Sequence, residues 1–318
     1  MLKKQKTLIV VVGPTAIGKT ELAIQLAQFY KTEIISADSR QFFKEMHIGT
    51  AKPSKEELAA APHHLINSHS VKTLFSVGDF EAEALQLIEQ LFLKNDVAIL
   101  VGGSGLYIDA VCKGLDELPE IDLNIREQLN QQLANDGIEV IKNQLQELDP
   151  EYFAKVDQSN PQRMIRGLEV ILSSGQKLSS FLTAQKKERP FNIVKIGLNT
   201  ERSILYDRIN HRVDVMMNAG LLDEVKSLIL YRKYNALNTV GYSELFDFID
   251  GKTEFSSAVA MIKQNTRRFA KRQLTWFRRD QDTAWFEPNQ FEEIIKHVTS
   301  FCHSEEQPVP SSREGISF

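Results

Sequence analysis

The sequence predicts an α/β protein, a doubly wound parallel sheet carrying a helical insertion domain, on three observations. Short, wholly apolar, β-branched runs alternate with stretches of helical periodicity. The segment GPTAIGKT stands where one such run gives way to a helical pattern. Between them the texture turns polar, Gln-rich and helical. The expected division is 1–120 with 191–303 as the α/β core, ending in long helices, and 121–190 as the insertion. The tail 304–318, rich in Ser, Glu and Pro, is expected to be disordered.

Taken in order, Leu8 to Val12 has the pattern of a strand covered on both faces. With the basic residues before it this run imitates a secretory signal, but it is too short and leads straight into GPTAIGKT. From Lys19 to Tyr30 the residues Leu22, Ala23, Leu26, Ala27 and Tyr30 recur at helical spacing. A second strand, Glu33 to Ala37, ends at Asp38. Asp79 to Lys94 is a helix with Phe80, Ala84, Leu87, Ile88, Leu91 and Phe92 as its stripe, and it feeds the strand Val97 to Val101. In the insertion, Asp136-Gly137, Asp149-Pro150, Asn160-Pro161 and Ser174-Gly175 punctuate the helices. Phe191 to Leu198 returns to the sheet, and long helices follow to about Arg279.

Composition excludes some functions. With 42% hydrophobic and 25% charged residues, the chain has no apolar run approaching the roughly 20 residues that span a bilayer, so no membrane is expected. Cys112 and Cys302 are too few for a disulfide framework or a cysteine zinc site, which suits a reducing cytoplasm. The charge of 38 minus 42, or −4, argues against indiscriminate polyanion binding. Yet Lys263, Arg267, Arg268, Lys271, Arg272, Arg278 and Arg279 fall within one stretch free of acidic residues, so a local positive field survives. On the helix expected from Lys263 to Arg279, Arg268, Arg272, Thr275 and Arg279 share a face, while Phe269 and Trp276 are expected in the core.

GPTAIGKT fits GxxxxGK(S/T), the phosphate-binding loop, and makes the expected sheet P-loop NTPase-like. Gly13 and Gly18 let the backbone curl, with Pro14 in the turn, so that amides of Thr15, Ala16, Ile17, Gly18, Lys19 and Thr20 surround phosphate and Lys19 adds a charge. Thr20 is placed to hold Mg²⁺, and Thr15 to reach a phosphate oxygen. What the phosphates are attached to stays open. ATP or GTP is usual, but no NKxD segment is present, and Val97 to Val101 runs into Gly102 instead of an acidic residue. Asp38 is the best carboxylate nearby: a metal ligand, a general base or a cap. GGSGLY, Gly102 to Tyr107, opens a second glycine loop at the ligand-bearing edge, where Ser104 offers a hydroxyl.

The set GPTAIGKT, ADSRQ (37–41), IGTAKP (48–53), APHHL (61–65), GGSGLY, NPQRMIRGLEV (160–170), HRVDVMMNAGLLDEV (211–225), VGY (240–242) and RRFAKRQLTWFRR (267–279) closely resembles the bacterial tRNA dimethylallyltransferases, in order, across nearly the whole chain. The resemblance implies transfer of dimethylallyl from its diphosphate to N6 of the adenosine immediately 3′ of the anticodon, with Mg²⁺ as cofactor. It assigns the base role to Asp38, a catalytic role also to Ser104, and the diphosphate to Arg212 beside the phosphate loop. An ion pair of Arg212 with Asp214 is the alternative. It assigns RNA contacts to Asp38, Ser39, Arg40, Gln41, Ser104, Arg126 and the segment Gln162, Arg163, Met164, Ile165, Arg166, to which the basic helix adds Arg268 and Arg272. Ser104 stands where the family commonly has Thr, which keeps the hydroxyl. The expected partners are the tRNA anticodon stem-loop and dimethylallyl diphosphate, and a monomer is expected. The competing readings are a small-molecule P-loop kinase using ATP and a nucleotide-switched RNA-binding protein. An isopentenyltransferase acting on free adenine nucleotides is disfavoured by the RNA-facing features.

Overall fold

A computed structural model describes residues 6–183 and 185–304. The expectation of a disordered tail falls, beyond Ser304, outside them. The core elements run β1 (Thr7–Val12), α1 (Lys19–Tyr30), β2 (Ile34–Ser36), α2 (Lys55–Ala60), β3 (His63–His64), α3 (Val77–Lys94), β4 (Val97–Val101) and α4 (Gly105–Lys113). The insertion contributes α5 (Leu123–Asp136), α6 (Ile138–Leu148), α7 (Pro150–Lys155), α8 (Pro161–Ser174) and α9 (Leu178–Phe181). The chain then returns through β5 (Asn192–Leu198), α10 (Arg202–Asn218), α11 (Leu221–Ser227), α12 (Tyr242–Ile249), α13 (Phe255–Phe277), β6 (Thr283–Phe286) and α14 (Phe291–Ser304). Among the described residues no helix is long and apolar enough to cross a membrane.

The strands form one parallel sheet in the order β3-β2-β4-β1-β5-β6. All six residues of β1 are buried, as the β-branched run requires, and their side chains alternate between two cores. Leu8, Val10 and Val12 pack under α3, α4 and α12, whereas Ile9 and Val11 pack against α1, α10 and α14. The loops leaving β1, β2 and β4 therefore lie side by side: Ala37 N–H donates to Val101 O (2.7 Å) and Gly102 N–H to Val11 O (3.1 Å).

Local chemistry explains where the elements begin and end. Ser76 and Asp79 cap α3 reciprocally, each satisfying the other's amide, a box worth about 1 kcal/mol, so the helix starts at Val77 rather than Asp79. The basic helix is longer at its start and shorter at its end than expected. From Phe277 onward Arg279 and Asp280 make three-residue turns to Trp276 and Phe277, which leaves Arg278 and Arg279 outside α13. The short edge strands β3 and β6, and helix α14, have no counterpart in the sequence expectation. Two and four residues are too few for a period to show.

The chain divides into two units, Met1–Cys112 with Arg189–Phe318, and Lys113–Glu188. The smaller begins at Lys113 rather than 121 and ends at Glu188 rather than 190. Its own core joins Leu129, Ile141, Leu145, Met164, Ile165, Leu168 and Ile171. Asp122, Asp149 and Asn160 cap its helices through their side chains, and Gly137 and Gly175 close them. Asp149 is fully buried, yet its carboxylate accepts from the amides of Tyr152 and Ser179.

Candidate active site

The phosphate loop is built by close approach. Gly13 has φ +145°, and a Cβ there would lie 2.6 Å from Leu198 O, so only glycine lets β1 turn off this tightly against β5. Gly18, at φ +106°, opens α1 in the left-handed region. Ala16 also sits there, at φ +65°, a conformation costing about 1–2 kcal/mol that concentrates strain at the loop's tip. Thr15 to Thr20 line a cavity of about 330 Å³, together with Asp38, Gln41, Gly102, Gly103 and Arg212. Gly13 and Pro14 shape the loop from behind, and Pro14 O accepts from Lys19 Nζ at 2.8 Å.

Two cations meet here. Burial lowers the Lys19 ammonium to about 7, the Asp38 carboxylate opposing that fall and Arg212 adding to it. Arg212, from α10, donates to Thr15 Oγ1, and burial pulls its pKa down as well. Its Nε is buried without a hydrogen-bond partner. An unmet buried donor beside a depressed ammonium is an unfavourable arrangement in isolation, and an anion within the cavity relieves both. The alternative ion pair of Arg212 is not formed, since Asp214 pairs with Lys263 at 2.6 Å.

Asp38 follows β2. Its Oδ1 accepts from the amides of Arg40 (2.9 Å) and Gln41 (3.3 Å), so the carboxylate does cap a turn. Its Oδ2 accepts nothing from the described residues. Ser104 Oγ accepts from Ser39 N–H at 2.9 Å, tying the second glycine loop to the Asp38 segment. Arg40 is drawn inward, with NH1 on Ser39 O (3.0 Å) and Nε buried and unpartnered. Gln41 Nε2 donates to the carbonyls of Thr50 (3.3 Å) and Ala51 (3.1 Å).

A second cavity of about 210 Å³ shares Thr15, Asp38, Thr50, Ala51 and Arg212 with the first. Ser39, Arg40 and Ser104 lie on its polar side, while Val213, Met216, Leu221, Val240, Ile262 and Phe269 give it an apolar wall. Phe269 thus departs from the expectation of a core residue: it is 38% exposed because its face of α13 borders the cavity. Trp276 is more deeply set, donating through Nε1 to Asp109 at 2.8 Å. Arg268 and Arg272 are exposed on α13, Arg272 lying over the Phe269 ring at 5.8 Å.

Gln273 was missed in the sequence. Buried on α13, it accepts from Thr15 N–H (2.8 Å) through Oε1 and donates to Gly103 O (2.8 Å) through Nε2, so one amide spans the two glycine loops. A signal existed. Ile262, Thr266, Ala270, Gln273 and Phe277 form the buried stripe of α13, and a glutamine in such a stripe needs partners.

In the smaller unit, Gln162 and Arg163 are exposed at the start of α8. Met164 and Ile165, expected to contact RNA with them, are corrected: helical spacing turns both into the unit's core, at 0% and 1% exposure. Arg126 and Arg166, both partly exposed, converge on Glu169, which is wholly buried. Arg126 forms a two-pronged pair with it, and Arg166 NH1 lies 3.5 Å away.

Comparison with known proteins adds a lineage to this geometry. A family model described as IPP transferase matches residues 41–280. A curated relative from Christiangramia forsetii, named tRNA dimethylallyltransferase, is 54% identical over 93% of this chain and 97% of its own length. Another of that name, from Flavobacterium johnsoniae, is 53% identical over 92% and 97%. Among solved structures, the full-length tRNA isopentenylpyrophosphate transferase of Bacillus halodurans matches with a TM-score of 0.71 and 36% identity, covering 95% of this chain and 98% of that one. A eukaryotic dimethylallyltransferase acting on tRNA matches with a TM-score of 0.76 and 25% identity, over 97% and 82%.

Proposed function

The chain belongs to the IPP transferase family, and on that premise we propose that it moves the dimethylallyl group of dimethylallyl diphosphate onto N6 of the adenosine 3′-adjacent to the anticodon of tRNA, releasing diphosphate. The observation that carries this reading is the pair of half-buried cations, Lys19 and Arg212, lining a cavity whose neighbour has an apolar wall. Such a place suits a ligand with two phosphates at one end and a short hydrocarbon at the other. We assign the work to a monomer in the cytoplasm, the compartment its two cysteines suit.

In this reading the loop amides, Lys19 and Arg212 take the diphosphate and stabilise the charge that grows as the allylic C–O bond breaks. The amine nitrogen forms the new bond to that carbon, and Asp38 Oδ2, the oxygen not spent on the turn, receives the proton the amine sheds. Ser104 holds Ser39 and hence the base, while Ser39, Arg40 and Gln41 border the adenine. The residues also fit Mg²⁺: Thr20 and Asp38 both line the cavity. A magnesium ion held by few protein oxygens and completed by phosphate and water is its usual state. When bound it neutralises diphosphate charge.

The extruded adenine belongs to a loop that is not fully paired, where unstacking costs least. Gln162, Arg163, Arg126, Arg166, Arg268 and Arg272 supply contacts to the surrounding anticodon stem-loop. The test is incubation with undermodified tRNA and Mg²⁺, supplying either labelled dimethylallyl diphosphate or γ-labelled ATP. Label entering tRNA only from the allylic donor is expected. Phosphate passing from ATP to a small acceptor would mark a kinase and overturn the reading.

A further inference from the structure

Three sequence segments hold residues that the transfer as derived above does not use: IGTAKP, the NAGLLDEV end of its motif, and VGY. They converge. Glu224, on α11, accepts from three successive amides, His47 (3.0 Å), Ile48 (2.7 Å) and Gly49 (3.1 Å), and from the Tyr242 hydroxyl (2.6 Å). Consecutive amides curled around one anion form a nest, here filled by a carboxylate from within the chain.

Tyr242 closes the other side. Its side chain is fully buried, and a Cβ on Gly49 would lie 2.5 Å from its ring, so the loop rests directly on the aromatic face. Burial and the neighbouring Glu224 raise the Tyr242 pKa, which keeps the hydroxyl a donor. The chain then passes through Ala51, at φ +48°, and Thr50 and Ala51 reach both cavities. Their carbonyls hold Gln41 Nε2. Gln41 N–H in turn donates to Asp38 Oδ1.

We propose that Glu224 and Tyr242 are positioning residues, a clamp that sets the 47–51 loop and, through Gln41, the placement of the Asp38 carboxylate against the reacting amine. This rests on the transfer reading above. Neither Glu224 nor Tyr242 lines either cavity, so the clamp's effect belongs to the reaction step.

Glu224→Gln keeps the shape but turns an NH₂ group toward amide donors, and Tyr242→Phe removes only the hydroxyl while keeping the ring under Gly49. Single-turnover rates, per active site and at saturating donor and tRNA, should fall about ten- to a hundredfold for Glu224→Gln and about three- to tenfold for Tyr242→Phe. Donor and tRNA dissociation constants should stay within about threefold of the parent, since only geometry is disturbed. Hydrogen exchange at the amides of 47–49 should quicken by about tenfold or more in Glu224→Gln. Rates within about twofold of the parent, or a loss fully accounted for by weaker tRNA or donor binding, would overturn the proposal. If Glu224→Gln does not fold, Tyr242→Phe decides. Should the parent itself load no dimethylallyl onto tRNA, the transfer reading falls, and unchanged exchange at 47–49 then overturns the clamp separately.

Discussion

At the scale of single residues, Asp38 has its two oxygens in different circumstances, one holding two turn amides and the other without a donor among the described residues. Asp38→Asn keeps size and can keep the turn, but an amide cannot accept a proton at neutral pH, so the single-turnover rate should fall by about 10²-fold or more. Donor affinity measured across a magnesium series separates the roles: a metal ligand loses affinity that added Mg²⁺ partly restores, a base does not. A rate near that of the parent would remove the base assignment. Lys19→Ala, by contrast, deletes a charge facing phosphate, and should weaken the donor by about ten- to a hundredfold while leaving tRNA affinity nearly unchanged. Parallel losses in separate titrations would contradict that division. The sequence made Lys19 and the glycines legible because phosphate binding imposes a fixed spacing on contiguous residues. It could not reveal Gln273, Glu224 or Tyr242 by the same route, because their partners lie up to 258 positions away and no local period records such a contact.

At the scale of elements, β1, α1, β4 and the punctuated helices of the insertion were readable because each carries its own instruction: β-branched burial, an apolar stripe, or a capping residue. Of the elements that escaped, β3 and β6 are edge strands whose existence depends on a neighbour already being in place. Helix α13 shows what periodicity leaves out. Its pattern put Arg268 and Arg272 on an exposed face, but the buried stripe runs through Ile262, Thr266, Ala270, Gln273 and Phe277 instead of Phe269 and Trp276; that stripe carries Gln273 to both glycine loops, and Phe269 is diverted to a cavity wall. The same helix that braces the donor loop therefore presents Arg268 and Arg272 outward. Reversing both to Glu should weaken tRNA binding and reduce the slope of log affinity against log salt by roughly 0.7 to 0.9 for each phosphate no longer neutralised. Donor binding should stay nearly intact. An unchanged slope in a folded double variant would take α13 out of the RNA footprint.

At the scale of the whole molecule, the two cores that flank the sheet are separate from the core of the smaller unit. No residue between Lys113 and Glu188 belongs to either core that flanks the sheet, and the core of the smaller unit draws only on its own residues. The sheet-bearing unit also closes its own chain ends: Arg189 donates to Val111 O at 2.8 Å and to Ala110 O at 2.7 Å, and pairs with Glu81 at 2.6 Å. These ends are close enough for a short flexible linker to join Cys112 to Arg189 without straining the fold. Excision of 113–188 with such a linker should therefore leave a chain that still unfolds cooperatively, because the buried apolar side chains that stabilise the sheet are all retained. Its donor affinity should remain within about tenfold of the parent, since Lys19, Arg212 and Gln273 are all kept. Its tRNA affinity should fall by far more, because Arg126, Gln162, Arg163 and Arg166 leave together, whereas the Arg268 and Arg272 face stays. Thermal unfolding with and without the donor and Mg²⁺ reads both properties at once, as a ligand that binds only the folded state raises the midpoint. A shortened chain that melts without cooperativity would mean that the sheet depends on the smaller unit for stability. One that folds and binds tRNA as tightly as the parent would mean that the RNA-binding surface resides in the core alone.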